Sequence, residues 1–577
     1  MPTLNWIGKE KVVNHHRDVP FRVLEHQYHF EYSPESEAGE NEKSLSAEAL
    51  TQEGNMIIHG DNLEALKALL PKYEGKIKCI YIDPPYNTGN EGWVYNDNVN
   101  HPKIKKWLGD VVGKEGDDLT RHDKWLCMMY PRIKLLHQLL AKEGAIFISI
   151  DDNEQANLKL MCDEIFGVRN YIANVAVVNN FKGRSDDKYI ATAHENLIIY
   201  QKGAFETKGV SLPEEYTKDY NLEDKNGKYR HLGLRKRGSN AREIDRPNLF
   251  YPIYYSKKDS SLSLERSDDK IEIFPKLSNG ENGTWRWGKE TLSKRLGEVE
   301  VKLVKTRNEY DVFQKDYLVK NGAEKRIKPK SFWHGTEFSA EAGTLELKKI
   351  FKKKVFETPK SSDSISYIIQ QATEKDSIIL DSFAGSGTTA HAVMNLNKQD
   401  GGNRKFILVE MEDYAETITA ERVKRVAKGY GEGKKAVEGT GGSFDYYTLG
   451  EPLFVGENKE YLNEAVGIEK IREYIWYSET RTALPVIARN EERMGNEGDR
   501  FVPRDDEPFY LGNKDQTAYY FFYEPQQVTT LDYDFLATIK TKAEQYVIYA
   551  DNCLLSKAYM SEHNIIFKKI PRDISRF

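Results

Sequence analysis

"NMIIHGDNLEALKALLPKYEGKIKCIYIDPPYNTG" (Asn55–Gly89) carries the grammar of the fold in miniature. "NMIIHGD" is a short apolar run ending at Asp61. "NLEALKALLPKY" spaces its leucines as one face of a helix does, and "KIKCIYIDPP" is a second apolar run. Two consecutive prolines cannot continue a central strand, because they remove two N–H donors and stiffen the backbone. The strand therefore stops at Asp83 and presents an acid, a rigid diproline and Tyr86 at its end. That end could hold something flat and polar.

The same alternation continues outward. "HDKWLCMMYPRIKLLHQLLAKEG" (residues 122–144) reads as a long amphipathic helix, and "GAIFISIDD" (residues 144–152) as a third strand. Strand, helix, strand, helix, strand specifies a parallel sheet with helices on its faces. The pattern lapses near residue 201. From there to about 340 the chain is polar and rich in Tyr, Trp, Lys and Arg, as in "GKYRHLGLRKRGSNAREIDR" and "NGTWRWGKE". It resumes with "SISYIIQQATEKDSIILDSFAGSGTTAHAVMNLN" and "KFILVEMED". The expectation is one α/β domain in two halves, 55–200 and 341–436, split by an insertion at 201–340. A polar extension would precede it at 1–54. A glycine-rich linker, "GYGEGKKAVEGTGGS", would lead to a separate Tyr-rich C-terminal domain at 437–577.

Composition narrows the class. A length of 577 residues suggests roughly three or four domains. With 39% hydrophobic and 30% charged residues the chain is globular rather than disordered. No apolar run is long enough to span a bilayer, and the N-terminus lacks a secretion-signal layout, so a cytoplasmic protein is expected. Cys79, Cys127, Cys162 and Cys553 have neither zinc spacing nor the density of a disulfide framework, and read as reduced thiols. The net charge of −6 does not announce nucleic-acid binding, but local basic patches can bind DNA under an acidic total.

"IILDSFAGSGTTAHAV" (residues 378–393) joins a strand to a helix through a glycine-rich turn. Gly385 and Gly387 let backbone approach a ligand closely. No lysine follows the last glycine, so a nucleoside triphosphate is disfavoured. The next strand ends at Glu410, where an acid suits ribose hydroxyls. A carboxylate, a glycine turn and no phosphate-binding lysine suggest a nucleoside without phosphates, with S-adenosylmethionine a leading candidate.

These motifs together resemble the DNA amino-methyltransferases of the permuted (beta) group, in which the target-base motif precedes the cofactor motif. The "DPPY" of Asp83, Pro84, Pro85 and Tyr86 resembles the family's catalytic motif. "DSFAGSG" resembles its cofactor loop, implying cofactor contacts from Asp381, Phe383, Ala384, Gly385, Ser386, Gly387 and Thr388. "HGDNLEAL" resembles the motif touching the adenine, through Asp61 and Asn62. "FETPKSS" resembles the segment over the methionine end, through Thr358 and Lys360, and Glu410 matches the ribose-binding acid. Within the group, "DPPYNTGNEGWVYND", "WLCMMYPRIKLL" and "GAIFISIDDNEQANLK" look like the modification subunits of type III restriction–modification systems. The resemblance runs from about Asn55 to Tyr200 and from about Trp333 to Gly429.

It implies a Rossmann-like, seven-stranded, mostly parallel methyltransferase sheet, with an inserted target-recognition domain and a C-terminal α+β domain for dimerisation or partner binding. The implied activity is methyl transfer from S-adenosylmethionine to adenine N6 in a short, non-palindromic DNA sequence, with base flipping and no required metal. An Asp at the head of the motif favours adenine by resemblance. Implied partners are double-stranded DNA, a second copy of the chain and a separate restriction helicase–nuclease, but no membrane. Lys228, Arg230, Arg235, Lys236, Arg237 and Arg242 in the insertion are the candidate DNA contacts. Glu195, beside His194 before the strand "NLIIY", is assigned packing or pocket lining. Two other readings stay open: a subunit that mainly delivers DNA to a separate nuclease–translocase, and an N4-cytosine or RNA methyltransferase sharing the cofactor site.

Overall fold

Runs of Ile, Val and Leu that are apolar at every position, not every second one, form strands covered on both faces. The computed structural model describes residues 3–33, 41–43, 54–88, 106, 109, 121–183, 188–320, 322–457, 459–484 and 507–575. Gly89 to Asp97 of the "DPPYNTGNEGWVYND" stretch, and residues 34–40 and 44–53 of the expected N-terminal extension, lie outside the described residues. The chain divides into two compact units, Met1–Lys208 with Lys330–Phe577, and Gly209–Pro329.

The first unit is built on one sheet. Its strands are β1 (Arg22–Tyr32), β2 (Asn41–Lys43), β3 (Met56–His59), β4 (Ile77–Ile82), β5 (Leu140–Ile150), β6 (Tyr171–Val178), β7 (His194–Gln201), β8 (Phe332–Trp333), β9 (Ile378–Asp381), β10 (Lys405–Glu410) and β11 (Gly442–Pro452). They lie in the order β8-β6-β7-β5-β4-β9-β10-β3-β11-β1-β2. The seven strands from β6 to β3 in that order are the expected α/β sheet, with β7 antiparallel to both its neighbours. Four more strands widen it, β8 on one edge and β11, β1 and β2 on the other.

Helices cover both faces. On one side α1 (Asn62–Tyr73), α2 (Arg121–Leu139) and α3 (Gln155–Phe166) bury Leu66, Leu136 and Leu158 in a core with Ile58, Ile80 and Leu380. On the other, α4 (Ala340–Phe351), α5 (Ser362–Ala372), α6 (Thr388–Asp400) and α7 (Glu421–Lys428) enclose Ile57, Cys79, Ile379 and Leu408. Neighbouring strand residues go to opposite cores, as the strand period of two requires.

The chain ends depart from expectation. β1 belongs to the supposed extension and β11 to the supposed C-terminal domain. Yet β11 pairs in parallel with β3, and β1 pairs antiparallel with β11, Phe30 opposite Phe444. The helix α8 (Ile468–Thr480) also joins the first core through Tyr474 and Ile475. Pairing partners about four hundred residues apart leave no local mark in the sequence. Beyond α8, the strands Tyr510–Lys514, Thr517–Phe521, Gln545–Ala550 and Ile565–Lys569 form a four-stranded sheet around Tyr510, Tyr520, Phe535 and Ile548.

The second unit is mostly strands, with short helices such as Lys289–Lys294 between them. Val299–Val304, Glu309–Tyr317, Gly227–Gly233 and Leu222–Asp224 make an antiparallel sheet over a core of Leu234, Tyr251, Trp285 and Val312. Val210–Ser211 pairs with Arg326–Ile327, so the two ends of the unit meet. Among the described residues no helix is long and apolar enough to cross a membrane. Cys79, Cys127 and Cys162 are buried free thiols, and Cys553 is half-buried and free.

Candidate active site

β4 and β9 are adjacent and parallel, Ile379 opposite Cys79 and Leu380 opposite Ile80. β4 leads on to β5 on one side, and β9 to β10 on the other. Such a reversal of strand order opens a crevice beyond the carboxyl ends of the strands, where α/β folds bind ligands. Asp83 and Asp381 come out at that point.

The diproline turn is held from behind. Trp125, fully buried on α2, donates its indole N–H to the Pro85 carbonyl at 2.7 Å. Asn87 turns the chain with φ of 57°, a region that Asn tolerates better than most residues. Its amide reaches the Arg121 carbonyl at 3.1 Å and Glu154 at 2.5 Å.

The glycine turn needs its glycines. Gly387 has φ of 78°, and a Cβ there would stand 3.0 Å from the Thr419 carbonyl oxygen. Gly385 has φ of 52°, and its N–H donates to Glu410 at 2.7 Å. Met411 and Glu412 N–H groups also donate to Glu410. Burial nevertheless pushes the Glu410 carboxyl up to about 7. Burial likewise raises Asp381 to about 7, against hydrogen bonds from Thr389 and the Phe383 N–H. Asp61 caps α1 through the Leu63 N–H at 2.8 Å and meets Arg132 at 3.3 Å, while the Asn62 amide ties α1 to the Ser382 carbonyl at 3.0 Å. Ser386 and Thr388 accept from Arg422, and the Thr388 hydroxyl donates to the Lys360 carbonyl at 3.2 Å.

That last bond joins the Thr358–Lys360 segment to the glycine turn, and the Lys360 side chain joins it to the diproline turn. Lys360 Nζ lies 2.7 Å from the Tyr86 hydroxyl, 2.8 Å from both Glu195 oxygens and 3.4 Å from Asp83 Oδ1. The Tyr86 hydroxyl is 2.8 Å from Asp83 Oδ1 and 3.1 Å from Glu195 Oε2. Burial raises the Asp83 carboxyl above the usual range; Lys360 opposes the rise and Glu195 adds to it. Burial works against the Lys360 charge, but Asp83 and Glu195 outweigh it and hold its pKa above the ordinary value. Burial, then the two carboxylates, keep Tyr86 protonated far above neutrality.

Asp83, Pro84, Tyr86, Thr358 and Lys360 line a cavity of about 580 Å³, closed elsewhere by Val177, Trp333 and Phe338. Such a volume falls within the ~300–1,000 Å³ typical of ligand pockets.

A family model described as DNA methylase matches residues 77–421. The chain is 38% identical over 369 residues to the type II methyltransferase M.KpnI of Klebsiella pneumoniae, covering 64% of this chain and 82% of that one. The chain belongs to the DNA methylase family. It is also 33% identical over 434 residues to the type III restriction-modification enzyme EcoPI Mod subunit of Escherichia phage P1, and 30% identical over 445 to the EcoP15I Mod subunit of Escherichia coli. Each match covers 71% of this chain and 64% of the relative, so the chain spans just under two thirds of either Mod subunit. The α/β sheet described above is the methyltransferase fold of this family.

The DNA methylase motifs read from the sequence fall in one place. Asp83, Tyr86 and Lys360 are in mutual contact; Asp61, Asn62, Ser386, Thr388 and Glu410 frame the turn beside them. Phe383 is half-buried and Ala384 buried in that turn. Glu195, read as packing or pocket lining, lines the cavity and is also part of the hydrogen-bonded group. Trp125 and Arg132 lie in the "WLCMMYPRIKLL" stretch, which by itself assigns them no role; Arg422 and Thr419, which also tie the motifs together, are marked only by their partners.

The candidate DNA-contacting residues of the second unit divide. Arg230 is bound to Asp316 at 3.0 Å and to Asp219 at 3.3 Å, and Arg235 to Asp311 at 2.8 Å. These two arginines brace their own unit. Arg242 is exposed, 3.4 Å from Asp245, Lys228 and Arg237 are exposed, and Lys236 is half-buried.

Proposed function

We propose that this DNA methylase transfers a methyl group from S-adenosylmethionine to adenine N6 within a short DNA sequence. The observation that carries the reading is the convergence of the diproline turn, the Thr358–Lys360 segment and the glycine turn at the strand-order reversal between β4 and β9.

The residues at the glycine turn fit that cofactor. Three carboxylates, Asp61, Asp381 and Glu410, stand there and suit hydroxyl and amine donors and a cationic centre, while the two arginines are engaged, Arg132 by Asp61 and Arg422 by Ser386 and Thr388. The buried Ser382 hydroxyl in the same turn has no partner among the described residues. Glu410 would hold the ribose hydroxyls and Asp61 the adenine side, with Thr358 and Lys360 over the far end. When bound, the cofactor supplies an activated methyl group on a sulfonium centre.

The chain's task is then to make a poor nucleophile attack. An exocyclic amine on adenine shares its lone pair with the ring. Acceptors at the Asp83 carboxylate and the Pro84 carbonyl would draw its two hydrogens and localise the lone pair on nitrogen. The diproline keeps both acceptors preorganised, so little reorganisation remains at reaction. Tyr86 would lie against the base. Alignment supplies most of the rate. A stacked base cannot reach Asp83, so the target would be flipped into the 580 Å³ cavity.

We further propose double-stranded DNA contacts through the exposed Lys228, Arg237 and Arg242, a homodimer, and a separate restriction subunit of the kind the type III Mod relatives imply. Methylation-sensitive sequencing of DNA from cells expressing this chain, beside Asp83→Ala, tests the reading. N6-methyladenine in one short motif, absent with the variant, is expected. N4-methylcytosine in its place would overturn the base assignment, and no new modified base would overturn the reaction.

A further inference from the structure

Glu195 sits on an antiparallel strand, 7% exposed, where a carboxylate must be paired to be tolerated. Its partners are not packing residues but the two side chains that flank Asp83. Both of its oxygens lie 2.8 Å from Lys360 Nζ, Tyr86 is 3.1 Å from Oε2, and Asn179 donates to Oε2 at 3.2 Å. Lys360 therefore stands closer to Glu195 than to Asp83, which it approaches only to 3.4 Å. The contacts that Asp83 does receive, from Tyr86 and Lys360, both fall on Oδ1; among the described residues none falls on Oδ2.

Two carboxylates thus share one ammonium. Remove the charge of Glu195 and Asp83 becomes the remaining carboxylate within reach of Lys360. The ammonium would then close on Asp83 and tie up the acceptor that the substrate amine needs. Building on the proposed function, we propose that Glu195 is a positioning residue for methyl transfer: it diverts Lys360 and braces Tyr86, so that Asp83 keeps Oδ2 open for the amine hydrogen.

A purely structural role and this one differ in their pH signature. Asp83 is faced by Lys360, Glu195 and Tyr86, with Tyr81 on the strand that leads into it and Asp381 at the end of the neighbouring strand. Asp83 must be ionised to accept, so activity falls as pH drops through its pKa. Losing the nearby negative charge and gaining a tighter ammonium both lower that pKa. The acidic limb must move to lower pH.

The test compares the full chain with Glu195→Gln and Glu195→Asp. At saturating DNA and cofactor, Glu195→Gln should lower kcat about 10- to 100-fold, the scale of a misplaced reacting group, with little change in KM. Its acidic limb should shift down, and Glu195→Asp should recover most of the loss. A kcat within about twofold of wild type, or a loss with an unmoved limb, would overturn the proposal. A second readout needs no methylation: the Asp83 carboxyl, followed by 13C NMR in aspartate-labelled protein and assigned with Asp83→Asn, should titrate at lower pH in Glu195→Gln. An unchanged titration overturns the inference even if the chain methylates nothing, whereas an inactive wild type with the expected titration overturns the proposed function alone.

Discussion

In the proposed reaction Asp83 carries the chemistry of the site, and its neighbours determine how well. Asp83→Ala removes one amine acceptor and leaves Tyr86 and Lys360 to Glu195. The expected result is a fall in kcat of at least ~10²-fold, the lower range for a positioned proton-handling group, with DNA binding kept. Filter binding beside a methyl-transfer assay separates the two. The acids of the glycine turn make a pH prediction. Asp381 and Glu410 are raised by burial to about 7. A carboxyl raised in the folded state stabilises fully below its unfolded pKa, near 4, and that contribution is lost as pH rises through about 7. The ligand-free protein therefore loses stability across that window. Ionised carboxylates are what a ribose needs, so S-adenosylmethionine should bind more tightly at pH 8 than at pH 6. Calorimetric titration at the two pH values checks this; equal affinities would mean that neither acid changes charge at the site.

Two close approaches govern the elements. In α4, Gly343 lies against the Thr358–Lys360 segment, and a Cβ there would overlap the Pro359 carbonyl oxygen. Gly343→Ala must push helix and segment apart. A loss of about 1–3 kcal/mol is expected by chemical denaturation, with weaker cofactor binding. A Gly343→Ala protein of wild-type stability would show that the segment yields freely. At the start of α6, Gly387→Ala meets both a left-handed backbone, which costs about 1–2 kcal/mol, and the Thr419 carbonyl. It should impair cofactor binding more than DNA binding. The glycine turn and the diproline turn were legible in the sequence because their residues are conformationally unusual. The contact of α4 was not, because Gly343 sits in an ordinary amphipathic helix and its partner lies sixteen residues on.

At the scale of the whole molecule, the second unit starts and ends on one paired pair of strands, Val210–Ser211 with Arg326–Ile327. Units joined through neighbouring ends tolerate removal well. Replacing residues 209–329 with a short Gly/Ser linker should keep S-adenosylmethionine binding and abolish sequence-specific DNA binding, read by calorimetry and by gel shift on methylatable DNA. Retained specificity would move target recognition to another part of the chain. The expected insertion, 201–340, runs somewhat wider than this unit, because polarity marks surface and not the strand that ends at Gln201. The sequence by itself determined the class of sheet, its interruption and the motif residues, since burial on both faces, turn chemistry and acids at strand ends are local constraints written in residue type. Tertiary structure alone decided that β1 and β11 extend the sheet, that Arg230 and Arg235 brace their own unit, and that Glu195 stands beside Lys360. These depend on which distant segments meet, and a buried charge differs from a surface one only through the partners that the fold brings to it.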